Sequence, residues 1–154
     1  MISRMRYWLV VLMVTGVIAA AGISADAQEN QGDGVITIHV TGLRNDKGNM
    51  NCTLCSSPDG YPGDCKNKVI VKAPIQGDQS DCVFPHKAPG DYAATVFHDE
   101  DADGKFKRNL VGIPKEGFGF SNNFRPTVRA PTWDEGKFNF PGGHKTITIK
   151  IIYW

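Results

Sequence analysis

Neither sign of charge dominates this 154-residue chain: 17 Lys and Arg stand against 16 Asp and Glu, for a formal net charge of +1. Without a positive excess there is no electrostatic footprint for a phosphate backbone, so nucleic-acid binding is excluded as the expected class. The chain has no internal repeat and no low-complexity tract, and its 17 glycines follow no three-residue period, which excludes solenoids and collagen-like assemblies. Helical stripes of apolar residues are missing beyond the N-terminal segment. There is no Gly-rich phosphate loop and no zinc-protease pattern. The run Gly119-Phe120-Ser121-Asn122-Asn123 lacks the second glycine of a nucleophile elbow. A hydrophobic content of 41% is too high for a disordered chain, and the length suits one ordinary domain.

The one long apolar run is at the start. Arg4 and Arg6 precede an apolar stretch from Trp8 to Ile23, and Ala25-Asp26-Ala27 puts small residues where a signal peptidase reads. This predicts a secretory signal over residues 1–27, a flexible lead-in over 28–34 and one domain over 35–154. The competing reading is an uncleaved anchor, but the run falls short of the roughly 20 residues that cross a bilayer. The expected location is the periplasm or the medium, with no membrane attachment after cleavage.

Such a compartment is oxidising, so the even set Cys52, Cys55, Cys65 and Cys82 suggests two disulfides, with three pairings open. Cys55 with Cys65 would close the Pro58-Asp59-Gly60-Tyr61-Pro62-Gly63 loop, leaving Cys52 with Cys82 to tie two strands; this pairing is preferred. Cys52-Thr53-Leu54-Cys55 also has redox or zinc spacing. It lies in an alternating segment rather than at a helix start, and Cys65 and Cys82 form no second close pair, which favours a staple.

Elsewhere the period is two. Ile36, Ile38 and Val40 alternate with Thr37, His39 and Thr41. Met50 to Cys55, Val69 to Val71, Asp81 to Phe84 (ended by Pro85), Asp91 to His98, and Lys137 to Phe140 read as further strands. Thr146 to Tyr153 is the most regular, with Ile147, Ile149 and Ile151 on one face. Turn chemistry separates them at Asn45-Asp46-Lys47-Gly48, Lys87-Ala88-Pro89-Gly90 and Pro141-Gly142-Gly143. The expectation is all-β: a single immunoglobulin- or transthyretin-like β-sandwich of about seven strands, with Greek-key connections and the first and last strands in or near one sheet. Glu100 to Trp133 has little regular pattern. A loop of that length in a compact domain is functional or hides an element.

That loop opens on the sharpest signal in the chain. Asp99, Asp101 and Asp103 occupy positions one, three and five of a calcium loop, and Gly104 takes position six, where the backbone turns sharply. Calcium is a hard cation needing six to eight oxygens, and alternate carboxylates on a tight turn converge on one point. The Lys105 carbonyl is a further candidate ligand, and Glu116 is one if it folds back. Position nine is Lys107 and position twelve is Leu110, so the bidentate Glu of an EF-hand is missing. The same residues also read as a solvated acidic turn. His98 adjoins the carboxylates, but consecutive strand residues point to opposite faces, so His98 and Asp99 make a poor acid–base pair. An orienting role fits His98 better.

The residues Ala88-Pro89-Gly90-Asp91-Tyr92-Ala93, Val96-Phe97-His98-Asp99, the Asp/Gly loop and Gly112-Ile113-Pro114-Lys115-Glu116-Gly117-Phe118-Gly119-Phe120-Ser121-Asn122 together resemble a bacterial family, domain of unknown function 2141. The resemblance runs roughly from Ile36 to Ile151. It implies an exported β-sandwich similar to transthyretin-like and carboxypeptidase-regulatory domains, and no established activity. The family's loop usually has Asn at its third and fifth positions and often Asp at its ninth. Asp101 and Asp103 here add negative charge that favours a cation, while Lys107 opposes one. The four cysteines depart from the family pattern.

Phe118, Phe120, Phe124 and Trp133 fall in the long loop among Gly117, Gly119, Asn122 and Asn123. Rings beside amides, chiefly Phe118 and Phe120 with Asn122 and Asn123, suit a shallow surface for a glycan, a peptide or another protein of the envelope. The plainer reading is that the rings pin the loop to the sandwich and the amides fix its turns. The expected function is an exported, non-enzymatic envelope module, with calcium as the candidate cofactor and the 99–133 loop as binding surface. The alternative is a hydrolase or transferase using the carboxylates of Asp99, Asp101 and Glu116.

Overall fold

The computed structural model describes residues 34–154; the expected signal over 1–27 and residues 28–33 of the lead-in lie outside them. Eight strands follow one another: β1 (Gly34–Thr41), β2 (Asn49–Cys55), β3 (Lys68–Ala73), β4 (Gln79–Lys87), β5 (Gly90–Asp99), β6 (Phe118–Phe120), β7 (Lys137–Phe140) and β8 (His144–Lys150). One short helix, α1 (Trp133–Gly136), precedes β7. They form a three-stranded sheet in the order β4-β1-β8 and a five-stranded sheet running β3-β2-β5-β6, with β7 also paired to β5. The all-β, two-sheet architecture is the one the period of two demands. The first and last strands do share a sheet, paired in parallel from Val35 opposite His144 to Thr41 opposite Lys150.

The core lies between the sheets. Ile36, Ile38 and Val40 of β1 are fully buried, as are Phe84, Phe140 and Ile149, and they meet Met50, Cys52 and Leu54 of β2. Cys52 of β2 and Cys82 of β4 are bonded, so one disulfide bridges the two sheets through the core, with the Cα atoms 6.3 Å apart. Cys55 is bonded to Cys65 and closes the loop over residues 58–63. This is the preferred pairing of the sequence reading. Two disulfides fit an oxidising compartment. Among the described residues no helix is long and apolar enough to cross a membrane.

Three expectations need correction. The last strand, expected over Thr146 to Tyr153, ends at Lys150, and Ile152 bridges to Phe118 instead. Pro85 does not end the fourth strand: β4 runs on to Lys87, with a register shift opposite Gly34 and Ile36 and a positive φ at His86. Because β4 is a sheet edge, the missing N–H of proline costs no ladder bond there. The long loop also contains a strand, β6, whose residues Phe118, Gly119 and Phe120 pair with Phe97, Val96 and Thr95. Gly119 faces the core, where a Cβ would collide with Ile149 and Val96. The alternation there is ring, nothing, ring, over three residues, too short to read as a strand. Phe118 also exchanges backbone hydrogen bonds with Ile152 (3.0 and 2.8 Å), tying β6 to the chain beyond β8.

Candidate functional site

Odd-numbered residues of β2 and β5 turn away from the core. Asn51 and Thr53 therefore share the outer face of the five-stranded sheet with Thr95, Phe97 and Asp99. The long loop lies over this face, with the acidic turn at one end and an aromatic pocket beside it.

At the acidic turn the three carboxylates do meet: oxygens of Asp99, Asp101 and Asp103 all lie within 4.8 Å of one another. Asp99 is completely buried, and its carboxylate organises the turn. It accepts the N–H groups of Asp103 (3.1 Å) and Gly104 (2.8 Å) and the Asn51 amide (3.0 Å). Gly104 takes φ +76°, the sharp turn expected at position six. Asp103 accepts the N–H of Lys105 at 2.9 Å, so the backbone of Lys105 serves the turn. Asp101 and Asp103 share the Lys107 ammonium, with Asp103 at 2.8 Å. Hydrogen bonding to Lys107, then to the Lys105 N–H, holds Asp103 below the ordinary carboxylate range. Hydrogen bonds to Asp101 and Asp103 in turn raise Lys107.

Glu116 does fold back under the loop, but it does not join the trio. It is 5% exposed and accepts the Lys107 N–H at 3.0 Å. Burial pushes its carboxyl above the ordinary value; the Lys107 hydrogen bond opposes this, and the charges of Asp99 and Asp101 add to it. As a test of fit for calcium, the trio converges as a hard cation requires. Two of its members, however, already hold an ammonium, and the third has three N–H partners. Calcium would have to displace Lys107.

His98 is fully buried on the opposite face of β5. Its Nε2 donates to the Lys47 carbonyl (2.8 Å), which leaves Nδ1 to accept the Tyr153 hydroxyl (2.7 Å). It ties the turn after β1 and the C-terminal segment to the end of β5; these hydrogen bonds do not reach the Asp trio that it was expected to orient.

The pocket is about 660 Å³. Its floor is Thr53 and Thr95, directly opposite each other across β2 and β5, with Phe97 beside them. A chain of rings lines it. Phe97 meets Phe106 at 5.5 Å, Phe106 meets Phe118 at 5.9 Å, and Phe118 meets both Phe120 (5.8 Å) and Trp154 (5.7 Å). Two loop tips flank the mouth and carry exposed apolar side chains: Val111, 78% exposed, and Val128, 95% exposed. Pro62 and Gly63 of the disulfide-closed loop complete one wall. Phe118 and Phe120, expected at a ligand surface, both line this pocket.

Asn122 and Asn123 do not serve that surface. The Asn122 amide donates to the carbonyls of Glu135 (3.0 Å) and Lys137 (2.9 Å). Asn123 donates to Thr148 O (3.1 Å) and accepts the Lys150 N–H (2.8 Å). Both lie at positive φ, where asparagine is tolerated, and both fix the loop. Trp133 packs edge-on against Tyr61 at 5.7 Å, away from the pocket. Ser121 is no nucleophile: fully buried, it accepts the Ala94 N–H (2.9 Å) and bonds to the Gly136 carbonyl (2.5 Å). The sequence reading missed Phe97, Phe106 and Trp154. Phe97 alone left a signal, as a large ring on the outward phase of its strand.

No curated protein and no solved structure matches this chain. A family model described as an uncharacterized protein conserved in bacteria matches residues 38–148. That span takes in both sheets, both disulfides, the acidic turn and the aromatic strand, so the chain belongs to the bacterial family of domain of unknown function 2141.

Proposed function

We propose that this protein is an exported, non-enzymatic β-sandwich module of the cell envelope, periplasmic or extracellular, that holds a ligand in the aromatic pocket under residues 99–133. The observation that carries the reading is the pocket itself. Its volume of about 660 Å³ falls within the roughly 300–1,000 Å³ of small-molecule sites. Its rim is apolar, with the exposed Val111 and Val128 beside Ile113 and Pro126 at the mouth. The two disulfides support an oxidising location. The enzymatic alternative has less support, because Asp99 and Glu116 are occupied with N–H donors and Asp101 and Asp103 with Lys107.

The test is binding of the uncharged apolar dye Nile red. Emission is expected to shift to the blue and saturate with the parent protein, and to weaken at least fivefold with the double variant Val111→Asp/Val128→Asp. Both side chains are exposed, so the fold tolerates the change. Dye binding that ignores the double variant would refute the pocket.

Calcium enters as a competitor of Lys107. Binding to the native state raises the melting temperature. Lys107→Gln is expected to gain more from calcium than the parent, since two carboxylates lose their ammonium. If calcium and chelator move the melting temperature of neither protein, the cation has no part in the loop.

A further inference from the structure

We infer that the ligand of the aromatic pocket is an anionic amphiphile, a single acyl chain ending in a carboxylate, with its tail among the rings and its head at Arg108. This rests on the pocket reading above and specifies its ligand class. Three observations converge on it.

The first is charge. Among the described residues, Arg108 and Arg129 carry the only ionisable side chains that line the pocket; no Asp, Glu or Lys is among them. Arg129 is already forked onto Glu135, with contacts of 2.7 and 2.9 Å. Arg108 lies over the Phe106 ring at 5.2 Å and donates to the Gly112 carbonyl (3.2 Å), with no carboxylate partner. Among the described residues Arg108 is therefore the pocket-lining guanidinium without a side-chain carboxylate partner, and its donors fit a carboxylate in bidentate fashion.

The second is the lack of backbone recognition. β5 crosses the floor with β2 on one side and β6 on the other, so both of its hydrogen-bonding edges are used where the pocket lies. An extended peptide finds no free ladder there, and strand addition is the usual source of its affinity. A glycan finds no amides either, since Asn122 and Asn123 are turned to the backbone.

The third is shape. Rings and prolines wall the pocket, and apolar tips stand at its mouth. An acyl chain buries apolar area without needing hydrogen bonds, and each methylene taken from water contributes about 0.8 kcal/mol.

The experiment is calorimetric titration of the purified protein with dodecanoate, dodecanol and dodecylamine below their aggregation concentrations, beside the Nile red measurement. Dodecanoate is expected to bind one per chain and at least tenfold more tightly than dodecanol, with dodecylamine weaker still. Arg108→Gln is expected to bring the affinities for dodecanoate and dodecanol to within twofold of each other. Equal binding of acid and alcohol, or a preference that survives Arg108→Gln, overturns the anionic head. Nile red binding without any dodecyl ligand overturns the acyl chain and leaves the pocket standing. Loss of dye binding as well takes down the pocket reading itself. Co-sedimentation with vesicles of anionic phospholipid, without uptake of free dodecanoate, overturns the proposal in favour of docking on a membrane surface.

Discussion

Single residues decide whether the long loop has a fixed shape. Ser121 is the clearest case, because its hydroxyl serves the Ala94 N–H on β5 and the Gly136 carbonyl at the end of α1. Ser121→Ala strands both groups in a site with no access to water, at an expected cost of about 1–3 kcal/mol. The urea midpoint measures it, and an unchanged midpoint would mean the latch is idle. Glu116 sets a pH dependence. Burial raises its carboxyl above the ordinary 4.5, so the folded state holds the proton more tightly than the unfolded state does. Its contribution is present at low pH and is lost as pH rises from about 4.5 through the raised value. Glu116→Gln keeps an acceptor for the Lys107 N–H and cannot ionise. The stability difference between variant and parent should therefore shift in the variant's favour with rising pH. A difference that stays flat with pH removes Glu116 as a titrating group.

Among the elements, the disulfide-closed loop and β6 matter because they belong to the pocket as much as to the fold. The Cys55–Cys65 link spans ten residues of sequence and holds Pro62 and Gly63 against the ligand space. A closed loop that short constrains the unfolded chain less than a long one does. The double variant Cys55→Ser/Cys65→Ser is therefore expected to weaken dye binding severalfold while lowering stability less than loss of the other disulfide. Unchanged dye affinity would show that the wall needs no staple. β6 exists because β5 offers a free edge beyond its pairing with β2, and because Gly119 lets a three-residue strand approach Ile149 and Val96.

At the scale of the whole molecule, one covalent link joins the two sheets. Cys52–Cys82 spans thirty residues and lies fully buried between β2 and β4. The chain-entropy argument assigns such a link about 3–4 kcal/mol, roughly one more than the shorter loop. Removing both sulfurs also opens a gap in the core. The double variant Cys52→Ala/Cys82→Ala should lose more melting temperature than Cys55→Ser/Cys65→Ser. The reverse order would mean that the sheets are held by packing alone.

Repeated and local features were legible before any fold was known. Alternation along β1 and β8 set the two-sheet class, because burial on one face imposes a period of two whatever the partner strand. The spacing of Asp99, Asp101, Asp103 and Gly104 set the converging turn, because a tight turn brings alternate side chains together without help from distant chain. Glu116 near that turn and Cys52 beside Cys82 were legible as choices among few partners. Features that require distant segments to meet emerged only in the folded chain. Lys107 takes the cation's place only because the loop closes over the sheet. Asn122 and Asn123 spend their amides on the backbone of α1, β7 and β8, which lie 13 to 27 residues away in sequence. The pocket joins Phe97, Phe106, Phe118 and Trp154 from four separate stretches, and no local pattern encodes an assembly whose only common term is the outer face of one sheet.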